Sequence, residues 1–219
     1  MAMHGYEPSP KSKFSHSPDS YVFSYANSAG MRDNIKLEIN YSMRSHILPL
    51  EQRSIETLDI LDSFKVNSLA AIEIFASKIV ALLTRTAPRD LYDINNMVYF
   101  GLFDETELSL LKKCIIFYYA VSSTDISESF DLTRTDELTE HRIRTDLYPV
   151  IRKKERFDLA SAKRRVAVYL SILSELSDNE REFLRTFMHG QYRPELLFED
   201  ARILERIRNH PMAIWRTQR

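Results

Sequence analysis

The segment LAAIEIFASKIVALLTR (69–85) most constrains the fold of this chain. Its apolar side chains recur with the period of an α-helix, and they cover nearly the whole circumference of that helix. A helix that is apolar nearly all round is buried among other elements, because water would otherwise contact its apolar surface. The segment therefore predicts a helical bundle in which this helix is largely buried.

Other segments with helical periodicity extend the bundle towards the C-terminus. The predicted helices lie at about 88–101, 104–121, 135–148, 159–175, 178–189 and 194–208. Pro88 suits the first position of a helix, and Gly101 suits the position just after its end. Asp104, followed three residues later by Glu107, has the spacing of a capping box. These signals predict where the second and third helices begin.

Upstream of the helices the period changes to that of a β-strand. IKLEINY (35–41) alternates strictly between apolar and polar residues, and YVFSY (21–25) is an aromatic and β-branched run. NSAGMRDN (27–34) between them has the composition of a turn, so the three segments together predict a hairpin. ETLDI (56–60) and FKVNSL (64–69) indicate one or two further short strands.

These patterns predict an α+β fold that is predominantly helical, with short antiparallel strands at the N-terminus and a helical bundle after them. Residues 1–20 are rich in Ser, Pro, Lys and His and have no period, so a flexible lead-in is expected there. The predicted parts are therefore 1–20 as lead-in, 21–68 as a partial sheet and 69–219 as a helical lobe.

Composition excludes several classes of site. The chain has only 4 glycines, and neither G-x-G-x-x-G nor G-x-x-x-x-G-K occurs, which excludes a Rossmann or P-loop phosphate site. Cys114 is the only cysteine, so an internal disulfide and a Cys-rich metal site are excluded, and its apolar context predicts a buried, inert thiol. Without a signal core or an apolar run of about 18 residues, the chain is expected to be soluble and cytoplasmic.

Positive charge is concentrated at 141–165, although the whole chain has a net charge of -1. Nine basic and three acidic side chains give this stretch a charge of 9 − 3 = +6. The basic residues are Arg142, Arg144, Arg152, Lys153, Lys154, Arg156, Lys163, Arg164 and Arg165. Such a stretch either follows a nucleic-acid backbone, here tRNA or another RNA, or forms an ordinary solvated surface.

A second group of charges follows the most hydrophobic helix directly, in KIVALLTRTAPRDLYDI (78–94). Lys78 projects from a mostly apolar part of the helix and needs an anionic partner or a path to solvent. Asp90 lies where the helix dipole favours an acid, and Arg89 with Asp93 has the spacing of a surface ion pair. That structural interpretation competes with a functional one, in which the charges bind phosphate.

The predicted hairpin also carries charge, because Lys36 and Glu38 share one face of a strand. One interpretation is an exposed sheet face with an ion pair across the strands. The other is a carboxylate fixed on a rigid strand, where it is a suitable metal ligand.

These segments resemble the AbiEii-type nucleotidyltransferase toxins of bacterial abortive-infection, type IV toxin–antitoxin systems. The similar stretches are SAGMRDNIKLEINYSMRSHI (28–47), SKIVALLTRTAPRDLYDI (77–94) and NHPMAIW (209–215). The second is the most specific: a lysine, an arginine seven residues on, then Arg-Asp with a second aspartate three residues later. The resemblance extends from about residue 21 to the end.

The resemblance implies a polymerase-β-like nucleotidyltransferase core with a helical C-terminal lobe. Members of the family transfer a nucleotide from a nucleoside triphosphate with Mg²⁺, and in characterised branches the acceptor is tRNA. The implied catalytic residues are Lys78 on the triphosphate, Asp90 and Asp93 positioning that lysine, the metal or the nucleotide, and Glu38 as a third carboxylate and metal ligand. The implied phosphate-binding residues are Lys78, Arg85, Arg89 and Lys36.

The sequence departs from the family pattern at its first motif. The family has a Gly-Ser followed by Asp-x-Asp, whose aspartates are the principal metal ligands, and neither occurs here. We therefore expect the C-terminal part of the family fold, as a truncated reading frame, a fragment, half of a split enzyme or a degenerate remnant, inactive or nearly inactive alone. The alternative is a non-catalytic helical module that binds RNA or a partner protein.

Three protein partners follow from this interpretation. They are a missing N-terminal half, a cognate antitoxin, and a second copy of the chain paired through the exposed edge of an incomplete sheet.

Overall fold

A computed structural model of the chain describes residues 5–14, 19–41, 43, 45–55 and 62–218. The chain divides into two compact units, Met1–Arg44 and Ser45–Arg219. In the described residues, short antiparallel strands come first and eight α-helices follow, which confirms the predicted α+β class. The predicted parts 1–20, 21–68 and 69–219 stay a prediction.

The first unit contains an antiparallel sheet of three strands in the order β1-β2-β3. The strands are β1 (Glu7–Pro8), β2 (Asp19–Ala26) and β3 (Arg32–Ile39). β2 and β3 form the predicted hairpin, in which Tyr21 pairs with Leu37. Gly30 in the turn has a φ of 74°, a value that glycine adopts without a steric penalty. Every residue of β3 is exposed, including the apolar Ile35 and Ile39.

The second unit begins with a two-stranded antiparallel sheet, β4 (Glu51–Ile55) and β5 (Phe64–Ser68). β5 confirms the strand predicted at 64–69, whereas the strand predicted at 56–60 lies outside the described residues. β4 was not predicted, because its sequence EQRSI lacks the alternation of apolar and polar residues that indicates a strand.

Helices make up the rest of the second unit. They are α1 (Ala71–Arg85), α2 (Pro88–Tyr99), α3 (Glu105–Ser122), α4 (Glu140–Arg142), α5 (Leu159–Leu173), α6 (Asp178–Met188), α7 (Ala201–Ile207) and α8 (Pro211–Thr217), with 3₁₀ turns at Thr133–Glu137 and Pro194–Leu196 and a π-helical turn at Ile143–Leu147. None of the helices in the described residues is long and apolar enough to cross a membrane. The predicted starts of α2 at Pro88 and of α3 after Asp104, with its capping box to Glu107, are confirmed.

The core of the second unit forms around α3. From Cys114 to Val121 every residue of α3 is buried, and α1 packs along it with Ile79 and Leu82 fully buried. Each such apolar side chain contributes about 1.5–3 kcal/mol when it leaves water. Cys114 is 0% exposed, as predicted, and its burial raises the pKa of the thiol, which keeps it protonated and unreactive.

Two predicted helices are wrong in their extent, because capping residues divide them. In the helix predicted at 135–148, Thr139 is extended and its hydroxyl accepts from the backbone N–H of Arg142, so α4 begins there as a new helix. In the helix predicted at 194–208, Asp200 caps the N-terminus of α7 in the same way. Local side-chain hydrogen bonds compete here with a continuous helical ladder.

His210 connects the start of α8 to the segment that precedes β4. It is 0% exposed, its Nδ1 accepts from the N–H of Ala213 at 3.4 Å, and its Nε2 lies 3.3 Å from the carbonyl oxygen of Ser45. Since Nδ1 is an acceptor, the ring is neutral, with the proton on Nε2 donated to Ser45. Burial lowers the pKa of His210, and the nearby His46 lowers it further.

Acid is therefore expected to destabilise the second unit through His210. Between the lowered folded pKa and the unfolded value of about 6.5, the unfolded chain binds a proton that the folded chain does not. The free energy of unfolding should thus fall as the pH falls below about 6.5, until the folded pKa is reached. Urea denaturation at a series of pH values measures this loss.

His210→Asn is the matched control, because asparagine keeps an acceptor for the N–H of Ala213 but does not titrate. The variant should lose less stability than the parent over the same acidic interval. Equal losses in the two proteins would assign the acid sensitivity to other groups.

Candidate functional site

The turn between α1 and α2 brings the predicted site residues of this unit together. α1 ends at Arg85, Thr86 has a φ of 50°, and Pro88 begins α2. A left-handed conformation costs a non-glycine residue about 1–2 kcal/mol. Thr86 is held in it by burial, at 1% exposed, and by a hydrogen bond of 3.2 Å from its hydroxyl to the carbonyl oxygen of Leu82. This turn lets α2 fold back against α1.

Two ion pairs connect the helices across this turn. Arg85 donates from Nε and from a terminal nitrogen to the two oxygens of Asp90, each at 2.7 Å. Lys78, two helical turns earlier, donates to the carboxylate of Asp93. We call these four residues with Arg89 the charged junction.

The two pairs differ in burial and therefore in what they do. The side chain of Asp90 is only 4% exposed, whereas that of Arg85 is 67% exposed. Arg85 thus neutralises a buried carboxylate while most of its guanidinium faces solvent, and this hydrogen bond raises the pKa of Arg85. Lys78 and Asp93 are each about a third exposed, so an anion in solvent can reach the ammonium group.

The ion pair that the structural interpretation predicted between Arg89 and Asp93 is wrong, because both side chains have other partners. Asp90 lies in the first turn of α2, as predicted, but its carboxylate is bound by Arg85, and the N-cap residue Ala87 has no polar side chain that could cap the helix. Asp93 pairs with Lys78 on the other helix instead of pairing with Arg89. Arg89 donates to the carbonyl oxygen of Asp146 at 3.1 Å, which ties α2 to the π-helical turn.

A tyrosine of α2 holds the basic stretch 141–165 against the charged junction. The hydroxyl of Tyr92 donates to Glu155 at 2.5 Å, and this bond raises the pKa of Tyr92. The ring of Tyr92 contacts that of Phe157, with 5.7 Å between centroids. The exposed basic residues of this loop are Arg152, Lys153, Lys154 and Arg156. Cations that are open to solvent therefore adjoin α2.

Lys36 and Glu38 belong to the first unit and form an ion pair with each other at 2.7 Å. Both side chains are about half exposed, and they stand two residues apart on one strand. The pair lies within a strand, whereas the structural interpretation expected it across strands. The catalytic and metal-binding roles of Glu38 stay predictions.

The charged junction fits an anion better than a divalent cation. Both oxygens of Asp90 accept from Arg85, and Asp93 accepts from Lys78, so each carboxylate already has a cation. Among the described residues, no group of three or more His, Cys, Asp or Glu side chains is arranged to hold a metal ion. Three cations against two carboxylates leave the junction with a charge of 3 − 2 = +1.

One buried residue that supports the site was missed in the sequence. Glu73 in α1 is 1% exposed and accepts from the N–H of Ile47 at 2.7 Å, from the N–H of Leu48 at 3.1 Å and from the hydroxyl of Tyr118. The pKa of Tyr118 is raised by burial and by this carboxylate. The available signal was that Glu73 is the only acidic residue of α1 and stands between two isoleucines, Ile72 and Ile74. Glu73 fixes α1, which carries Lys78 and Arg85.

Comparison with known proteins adds one match. Residues 4–190 match the profile of a family described as nucleotidyl transferase AbiEii toxin, type IV TA system. No curated protein matches, and no solved structure matches. The matched range includes both Lys36 and Glu38 on β3 and the whole charged junction.

Proposed function

The chain belongs to the AbiEii family of nucleotidyltransferase toxins of type IV toxin–antitoxin systems, and we propose that its charged junction binds the triphosphate of a nucleoside triphosphate. The reaction served is transfer of a nucleotide to an RNA acceptor, most simply tRNA, in the cytoplasm. The family also implies an antitoxin as the partner in the toxin–antitoxin system.

The observation that carries this proposal is the pairing of Lys78 with Asp93 beside the pairing of Arg85 with Asp90. Phosphoryl and nucleotidyl transfer need fixed cations where negative charge develops on phosphate oxygens. Each aspartate holds its cation in place, so that little further ordering of the side chain is needed when the anion binds. The exposed face of Arg85 and the half-buried ammonium group of Lys78 supply two such cations.

The carboxylates of the charged junction do not supply the metal site that the family chemistry uses. Mg²⁺ prefers free carboxylate oxygens in octahedral geometry, whereas Asp90 and Asp93 are bound by cations. The sequence also lacks Asp-x-Asp. We therefore propose that these 219 residues bind the triphosphate but transfer nucleotides poorly on their own.

A second candidate function is a non-catalytic module that binds RNA or a partner protein. The exposed basic loop at 152–156 favours it for RNA, because a cluster of Lys and Arg neutralises phosphates without base contacts. In this alternative, affinity for RNA does not depend on the charged junction.

A transfer assay with matched binding measurements tests both candidates. The purified chain is incubated with α-labelled nucleoside triphosphates, tRNA and Mg²⁺, and labelled RNA is separated on a gel. We expect no more transfer than with Lys78→Ala, whereas robust transfer that Lys78→Ala abolishes would contradict the predicted inactivity. Two results together would favour the module instead. The chain would bind tRNA but no triphosphate, and the variant Lys153→Glu/Lys154→Glu would lose the binding of tRNA.

A further inference from the structure

An exposed apolar stripe follows the outer face of α5. Val168 is 66% exposed and Ile172 is 58% exposed, and the two stand four residues apart, on one side of the helix. Arg164 extends the same row by one turn towards the N-terminus. The inner face of α5, with Val166, Leu170 and Leu173, is buried in the core, so this helix has a second apolar surface that the fold does not use.

A groove between α5 and α2 deepens this surface. Its volume is about 380 Å³, and its lining residues are Val98, Arg164, Arg165, Val168, Tyr169 and Ile172. The exposed Tyr99 and Phe100 at the end of α2 stand beside it, and the guanidinium of Arg165 lies 5.0 Å from the centre of the Tyr99 ring. The aliphatic side chains of Val98, Val168 and Ile172 form most of its wall, which favours an apolar side chain as the occupant.

The two ends of this surface carry opposite charges. Arg164 and Arg165 lie at its N-terminal end, and Glu175 lies just beyond its C-terminal end. Lys112 fixes the position of Glu175 by donating to its backbone carbonyl oxygen at 2.5 Å. One end of the stripe is therefore positive and the other negative, with apolar residues between them.

We propose that this face of α5 pairs with the same face of a second copy of the chain, with the two helices antiparallel about a two-fold axis. A two-fold interface requires that each contact occur twice, with the partners exchanged. Placing Val168 of one copy opposite Ile172 of the other sets the axis at the level of residue 170. Arg164 then lies opposite the C-terminal end of α5 of the other copy, where Glu175 follows the C-cap residue Ser174.

The packing of two such helices is of an ordinary kind. Antiparallel helices that cross at about 20° stay in contact over several turns, at interaxial distances of about 8–10 Å. Each copy contributes Val168, Ile172 and the aliphatic part of Arg164, while the groove beside α2 receives side chains of the other copy. Two arginine–glutamate pairs at the ends fix the antiparallel direction, as charged positions do in coiled coils.

Charge reversal on the full chain provides the test, with the association measured by analytical ultracentrifugation over a range of concentrations at low and high salt. We expect the parent chain to dimerise. Arg164→Glu and Glu175→Arg should each weaken the homodimer by about tenfold or more, because each places like charges opposite one another twice. Val168→Asp should abolish it, and since Val168 is exposed the variant should keep the helical circular dichroism of the parent.

Mixing the two charge variants distinguishes this geometry from other associations. In a mixed dimer the two substituted positions would face each other with opposite charges at one end. At the other end the unchanged Arg164 would meet the unchanged Glu175, so the mixture should dimerise more tightly than either variant does alone. The double variant Arg164→Glu/Glu175→Arg should recover the homodimer for the same reason. A parent that is monomeric at every concentration, a dimer indifferent to Val168→Asp, or a mixture that stays monomeric would each overturn the proposal.

Discussion

Replacing Glu73 with alanine is expected to lower the free energy of unfolding of the second unit by about 3–5 kcal/mol. The carboxylate accepts from two backbone N–H groups, those of Ile47 and Leu48, and from the hydroxyl of Tyr118. Glu73 is 1% exposed, so water does not replace it easily, and each buried donor left without an acceptor costs about 1–3 kcal/mol. Urea denaturation followed by circular dichroism measures the change.

Two variants at the same place serve as graded controls. Tyr118→Phe removes one of the three hydrogen bonds, keeps the two backbone bonds and should cost about 1 kcal/mol. Glu73→Gln keeps an acceptor oxygen of similar shape and should fall between the other two. If Glu73→Ala costs no more than Tyr118→Phe, the backbone bonds to 47–48 contribute nothing, and Glu73 does not fix α1.

The second large effect is expected from Arg85→Ala, at about 2–3 kcal/mol of lost stability at neutral pH. The variant leaves the carboxylate of Asp90, which is 4% exposed, without either of its two hydrogen bonds at 2.7 Å. The effect stays below that of a fully buried pair because Arg85 is 67% exposed and water can enter part of its place. Thermal and urea denaturation measure it.

An exposed ion pair in the same unit supplies the matched control. Arg193 donates to Glu195 at 3.1 Å with both side chains about half exposed, so Arg193→Ala should change stability by less than about 0.5 kcal/mol. Arg85→Lys, which keeps the charge but not the paired geometry, should lie between the two. Equal losses of stability for Arg85→Ala and Arg193→Ala would mean that the buried pair of Arg85 with Asp90 contributes no more to the free energy of unfolding than an exposed pair.

The parts of this fold that local sequence specifies are the parts that could be predicted. α1, α2 and α3 follow from apolar periodicity together with Pro88 and the capping box at Asp104, and each of these signals acts within one or two turns. β4 and the division of the segment 135–148 could not be predicted in the same way. The local sequence has only a weak conformational preference in both places. β4 forms because it pairs with β5, and the segment 135–148 is divided because Thr139 caps a new helix.

The same limit applies to the side-chain contacts of the candidate site. Lys78, Arg85 and the two aspartates lie close together in the sequence, but the spacing of the charges favoured an ion pair of Arg89 with Asp93. The real partners depend on how α2 folds back on α1, and that reversal depends on Thr86 in a left-handed conformation. A buried threonine is not a residue type that indicates such a turn. Spacing identified the charged residues, and tertiary geometry chose their partners.

Equilibrium binding most directly measures whether the charged junction is a binding site for a triphosphate. Each nucleoside triphosphate is titrated into the chain at low salt with a chelator present, so that only protein cations contribute, and Lys78→Ala is compared with Lys153→Ala. Loss of one charge-assisted contact should weaken binding by about tenfold in Lys78→Ala. Binding in Lys153→Ala should match that of the parent, because Lys153 lies outside the junction. Equal affinities in all three proteins, or no binding by the parent, would contradict the assignment of the junction as the triphosphate site.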